Sequence, residues 1–106
     1  MRILVAEDNP INARLLKVYL RDSGAAIDIT VNGEEACEAY ETHEFDIILM
    51  DCKMPRVDGF EATRRIRQLP QPEKRDIPIL GVTANVLESD VKRCFDAGMR
   101  RAAQAL

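Results

Sequence analysis

Short apolar runs alternate along this chain with stretches where apolar residues recur every three or four positions. Ile3-Leu4-Val5-Ala6, Ile47-Ile48-Leu49-Met50 and Ile77-Pro78-Ile79-Leu80-Gly81-Val82 are continuous runs, the signature of strands buried on both faces. Ile27, Ile29 and Val31 alternate with Asp28 and Thr30, the period of a strand with one wetter face. Between these runs, Ile11, Leu15, Leu16, Val18, Tyr19 and Leu20 keep helical spacing, as do Ala36, Ala39 and Tyr40. Phe60, Thr63 and Ile66 do so too, and so do Val91, Cys94 and Phe95. Local signals bound these stretches. Asn9 caps a helix with Pro10 at its first position, where the missing N–H costs nothing. Ser23-Gly24 ends that helix, Asn32-Gly33 turns the chain, Gly59 opens the third helix and Ala97-Gly98 closes the last. Pro70 to Arg75 reads as a polar loop, and Pro78 marks a strand start or an edge. Strand and helix thus alternate four times with short connections, which predicts a parallel sheet with right-handed crossovers and helices on both faces.

A length of 106 residues suffices for one domain with a single core and is too short for two. The net charge of -3 gives no electrostatic case for direct contact with nucleic acid or anionic lipid. No apolar run approaches the ~20 residues that span a bilayer, and no signal-peptide pattern opens the chain. Cys37, Cys52 and Cys94 are odd in number, widely spaced and form no CxxC pair. They read as reduced thiols in a cytoplasmic setting, not as a disulfide framework or a zinc site. Cys52, directly after Asp51, could serve as a redox handle, but a small side chain at a strand end is the preferred reading. Glu34, Glu35, Glu38 and Glu41 read as the solvated side of the second helix, and Arg64, Arg65 and Arg67 suit the dipole at the end of the third.

What changes this picture is where the runs stop. The first ends on Glu7-Asp8, the third on Asp51 and the fourth on Thr83-Ala84-Asn85. In an open parallel sheet, chemistry collects just beyond the carboxyl ends of the strands. Three carboxylates at one sheet edge repel each other, so one is protonated or a cation sits among them. Oxygen donors without His or paired Cys select a hard ion, and Mg²⁺ is the natural choice. With Mg²⁺ present, a carboxylate can attack phosphorus and form an acyl phosphate, and Thr83 offers a hydroxyl to a phosphoryl oxygen. Surface carboxylates that merely cap helices are the simpler account of Asp8 or Asp58 taken singly; the whole set, at these strand ends, favours chemistry.

The segments ILVAEDNPIN (3–12), FDIILMDCKMPRVDGFEATRRIR (45–67) and IPILGVTANV (77–86), with DAGM (96–99) behind them, resemble the receiver domain of two-component response regulators. The resemblance is closest to receivers fused to hybrid histidine kinases. It runs from residue 3 to about 99, and D-x-x-M-P-x-x-D-G at 51–59 is its most specific part. It implies a single receiver domain with a flavodoxin-like, doubly wound parallel sheet of order 2-1-3-4-5. It further implies that Asp51 is the phosphoacceptor, Asp8 a direct Mg²⁺ ligand and Glu7 the acidic neighbour holding metal-bound water. The backbone carbonyl of Lys53 would complete the metal site. Thr83 would be the switch hydroxyl and Ala84 the small residue that leaves phosphate access open. Met54-Pro55 and Asp58-Gly59 would shape the loop after Asp51.

Such a domain takes a phosphoryl group from a histidine kinase or histidine phosphotransfer domain, catalysing its own phosphorylation and dephosphorylation. Partner choice would lie on the exposed face of the first helix, including Asn12, Arg14 and Lys17. The chain departs from the family after Gly98-Met99. An aromatic expected near position 102 is Ala102, and a lysine expected at 105 is Ala105. Arg100 and Arg101 precede the expected strand and are poor substitutes for that lysine. The family's fifth helix is also missing from RRAAQAL, which predicts a partly bare sheet face and self-association or domain exchange.

A second reading is therefore a phosphorylation-independent interaction module that keeps the acidic pocket. An FMN-binding flavodoxin-like protein fits poorly, because two carboxylates stand where a phosphate loop would be. A haloacid-dehalogenase-type phosphatase normally carries D-x-D, and position 53 is Lys.

Overall fold

The computed structural model describes residues 1–83 and 88–104. Five strands, β1 (Arg2–Ala6), β2 (Ala26–Thr30), β3 (Ile47–Asp51), β4 (Ile79–Thr83) and β5 (Arg101–Gln104), form one sheet in the order β2-β1-β3-β4-β5. Every neighbouring pair is parallel. The connections carry α1 (Pro10–Leu20), α2 (Gly33–Thr42), α3 (Gly59–Arg67), α4 (Pro72–Arg75) and α5 (Glu88–Ala97). This is the flavodoxin-like order implied by the resemblance, with β5 formed although its residues carry no long apolar run.

One face of the sheet presents Leu4, Ile48, Met50 and Ile79 to a core completed by Ala36 and Tyr40 of α2, Phe60 and Ile66 of α3, and Cys94 and Ala97 of α5. Full burial of a side chain such as Phe60 or Ile66 contributes roughly 1.5–3 kcal/mol over leaving it exposed. The opposite face is thinner. α1 lies over its β2 side, where Ala13 and Ile29 line one cavity. Leu49, Leu80 and Val82 remain partly open on that same face. Ile11, Val18 and Tyr19 of α1 are 70 %, 47 % and 65 % exposed, so this helix shows much of its apolar stripe to solvent.

The helices start where an Asx side chain is available. The Asn9 side chain accepts from the Ile11 amide at 2.9 Å, Asn32 from Glu35 at 2.8 Å and Asp58 from Glu61 at 2.9 Å. Each such cap stabilises its helix by about 1 kcal/mol and fixes where a loop at the functional edge ends.

Several local expectations are corrected. Asn32-Gly33 is not a free turn: Asn32 caps α2 and Gly33 is its first residue. The polar segment from Pro70 to Arg75 contains the short helix α4, which Pro72 can start because its ring suits the first helical position. α1 stops at Leu20 and passes through a 3-10 turn at Arg21–Ser23 to Gly24, whose φ of 76° closes it. Pro78 precedes β4, and β4 lies inside the sheet, so Pro78 marks a start and not an edge. On β2, Thr30 is buried and Val31 lies exposed beyond the strand, the reverse of the hydropathy alternation. Burial of Thr30 is satisfied by its hydroxyl, which donates to the Val5 carbonyl at 3.1 Å. Arg101 is the first residue of β5 and does not precede it. Ala84, Asn85 and Ala105 lie outside the described residues.

Candidate metal and phosphoacceptor site

The parallel register brings the ends of β1, β3 and β4 to one edge. Past β1, the Glu7 amide still donates to the Thr30 carbonyl at 2.9 Å, which continues the ladder and draws Glu7 into the protein. Glu7 is only 3 % exposed, and the Asn9 amide donates to its Oε2 at 3.2 Å. Asp8 is exposed. Asp51, the last residue of β3, is partly open and stands opposite Val82, one residue before buried Thr83. The Lys53 amide donates to Asp51 Oδ1 at 3.3 Å, placing the Lys53 backbone at the rim.

Two glycines shape the loop that frames Asp51. A Cβ at Gly59 would collide with the Asp51 carbonyl oxygen and come within 2.9 Å of the Met50 side chain. A Cβ at Gly33 would collide with the Val57 carbonyl, which accepts the Gly33 amide at 2.8 Å. Between them Arg56 adopts a φ of 65°, a left-handed conformation that costs an L-residue roughly 1–2 kcal/mol. Pro55 before it suits the first corner of a turn that needs a positive φ at the next residue, but Arg56 stands where Gly or Asn is usual.

Glu7, Asp8 and Asp51 each offer an oxygen within 4.8 Å of the others. The Asp51 carboxyl is pushed up from 3.8 to about 7, first by burial, then by a hydrogen bond with Glu7 and the Glu7 charge, with Asp8 adding a smaller push and the Lys53 amide opposing. Without a cation, a proton on Asp51 relieves the repulsion as pH falls below about 7. A divalent cation relieves it equally well, and an all-oxygen donor set of this charge fits Mg²⁺.

Of the residues singled out by sequence, Glu7, Asp8 and Asp51 converge, the Lys53 backbone joins them, and Thr83 ends the adjacent strand. Arg100 and Arg101 do not approach. Arg101 pairs with Leu80, three residues before Thr83, and the Arg100 guanidinium donates to the Asp76 carbonyl at 2.7 Å. Both sit toward the far end of the sheet. Sequence reasoning missed Asn9 as the tether of Glu7; its visible role as a helix cap concealed the second one.

Residues 3–103 match the family model described as the response regulator receiver domain. The chain is 39 % identical over 107 residues to hybrid signal transduction histidine kinase B of Dictyostelium discoideum, covering 92 % of this chain and 5 % of that protein. It is 40 % identical over 99 residues to sensor histidine kinase RcsC of Escherichia coli, covering 93 % of this chain and 10 % of that protein. It thus spans a small fraction of these relatives. Among solved structures, the receiver domain of a Pseudomonas aeruginosa sensor histidine kinase superposes with a TM-score of 0.87 at 39 % identity, over 97 % of this chain and 83 % of that one. That crystal structure has a magnesium ion coordinated in its active-site cleft.

Proposed function

Because the chain belongs to the response regulator receiver domain family, we propose that it is a phosphoacceptor in two-component phosphorelay signalling, with Asp51 as the accepting residue. The observation that carries this reading is the meeting of Glu7, Asp8 and Asp51 at the carboxyl ends of β1 and β3, with oxygens within 4.8 Å. The ionised Asp51 carboxylate attacks phosphorus in line with the phosphohistidine leaving group. The P–N bond breaks, an acyl phosphate forms, and the imidazole nitrogen regains a proton from solvent. Lys53 holds Oδ1 through its amide, so the attacking carboxylate is oriented before the donor arrives. Buried Thr83, at the end of β4, supplies a hydroxyl toward the new phosphoryl group and carries its arrival into the segment that follows.

Mg²⁺ would be held by Asp8 and Asp51 directly, by the Lys53 carbonyl, and by Glu7 through water. When bound it supplies positive charge that neutralises the carboxylates and the phosphoryl oxygens. The magnesium-bound receiver at 39 % identity supports this assignment. The partner would be a histidine kinase or a histidine phosphotransfer domain, docking at the same edge in a cytoplasmic setting. Among the described residues no helix is long and apolar enough to cross a membrane. The apolar stripe of α1 and the open part of its sheet face would support self-association.

Ala102 in β5 and Ala105 beyond it keep a phosphorylation-independent module as the competing reading. Beryllofluoride separates the two, because this phosphate mimic needs both the phosphoacceptor and the metal. A ¹⁹F resonance of bound beryllofluoride that requires Mg²⁺ and is lost in Asp51→Asn is the expected result. Magnesium binding without any bound fluoride signal would favour the competing reading.

A further inference from the structure

Beside the phosphoacceptor the core holds two thiols in contact. Cys52 Sγ and Cys94 Sγ lie 3.4 Å apart although 42 residues separate them in sequence, and they are 1 % and 0 % exposed. We propose that this pair is a reversible disulfide site that staples the end of β3 to α5. The backbone that carries the two sulfurs is fixed. A Cβ at Gly81 would lie 3.1 Å from Cys94 Sγ and 2.5 Å from Met99 Sδ, so a larger residue there would press on both side chains. The Cys52 backbone is held on both sides, its amide donating to Val82 at 3.0 Å and its carbonyl accepting from Gly59 at 3.1 Å. The Cys94 carbonyl accepts the Met99 amide at 3.0 Å. A disulfide bond is about 2.05 Å long, so the sulfurs need to approach by only ~1.3 Å. The third thiol, Cys37, is on α2 and donates to the Ala62 carbonyl at 3.6 Å, which makes it an internal control.

The oxidant is a hydroperoxide, hydrogen peroxide being the simplest. One cysteine sulfur attacks the O–O bond, giving a sulfenic acid and one water. The second sulfur displaces the hydroxyl as a second water, and the S–S bond forms. Two thiols lose two electrons and two protons, and the peroxide is reduced to two waters. A small dithiol reverses the step by exchange. Enclosure slows oxidation but also shields the finished bond from bulky reductants. α5 begins at Glu88, just beyond Thr83 and the segment after it. The staple therefore restrains the element next in line when Thr83 responds. That consequence rests on the phosphoacceptor reading; the bond itself does not.

The test oxidises the whole chain with hydrogen peroxide, then unfolds it, alkylates it with iodoacetamide and measures intact mass and a peptide map. Expected are a loss of about 2 Da, one alkyl group on Cys37, and a linked pair of peptides containing Cys52 and Cys94. Cys37→Ser keeps the loss and Cys94→Ser abolishes it; if the latter does not fold, the parent's peptide map decides. Alkylation of all three thiols, or a bond to Cys37, overturns the proposal. Hydrogen exchange in α5 is then compared with and without acetyl phosphate. The phosphorylation-dependent change in the reduced chain should vanish in the oxidised one; an unchanged response would overturn the regulatory half. Failure of both forms to take phosphate would count against the phosphoacceptor reading and leave the bond standing.

Discussion

Replacing Asp51 by Asn should stabilise the metal-free protein at neutral and alkaline pH, although it removes the proposed nucleophile. The native carboxyl is pushed from 3.8 to about 7, chiefly by burial and then by Glu7. Folded chain thus holds a proton that unfolded chain releases between those values. The associated stability is fully present below about pH 4 and is lost as pH rises toward 7. At 1.36 kcal/mol per tenfold change, the ceiling is about 4 kcal/mol. Asp51 is partly open to solvent, and screening brings this down to roughly 1–2 kcal/mol. Asn keeps a hydrogen-bonding side chain of nearly the same shape and carries no charge, so it escapes the loss. In urea unfolding with EDTA, the midpoint of Asp51→Asn at pH 8 should exceed that of the parent by ~1 M, given a slope of about 1–2 kcal/mol/M. Near pH 4 the two should nearly coincide. Mg²⁺ at pH 8 should close the gap by stabilising the parent more. A variant no more stable than the parent at pH 8, or a gap of the same size at pH 4, would refute the electrostatic argument.

Three further outcomes follow from the loop and the surface. Gly59→Ala forces a Cβ into the Asp51 carbonyl; it should cost about 2–3 kcal/mol in urea unfolding and weaken Mg²⁺ binding in titration calorimetry. Arg56→Gly relieves a left-handed backbone at φ 65°; after the entropy of the added glycine it should gain roughly 0.5–1 kcal/mol, read as a higher Tm. Sedimentation across micromolar concentrations should show self-association of the parent and its loss in Val18→Glu, since Val18 and its α1 neighbours form an exposed apolar stripe; a strictly monomeric parent would contradict this.

Much of the fold was legible because its signals are local. Continuous apolar runs with β-branched residues specify interior parallel strands, and Asn9-Pro10 and Asp58-Gly59 specify where helices begin. The site was legible for a related reason: a carboxylate that ends a buried strand has few places to go except the sheet edge. What stayed hidden depends on partners distant in sequence. β5 forms from Arg-Ala-Ala-Gln, with little intrinsic preference, because β4 offers an open edge and α5 delivers the chain to it. Thr30 is buried against the hydropathy pattern because the Val5 carbonyl satisfies its hydroxyl. The contact of Cys52 with Cys94 joins residues that no short motif relates.

The central claim is that Asp51 accepts a phosphoryl group, and incubation with acetyl phosphate and Mg²⁺ followed by intact mass spectrometry tests it most directly. A gain of one phosphoryl mass, about 80 Da, is expected in the parent and none in Asp51→Asn or without Mg²⁺. The same gain in both chains would place the phosphate elsewhere. No gain in the parent, with Mg²⁺ binding intact by titration, would contradict the phosphoacceptor reading and leave a metal-holding interaction module in its place.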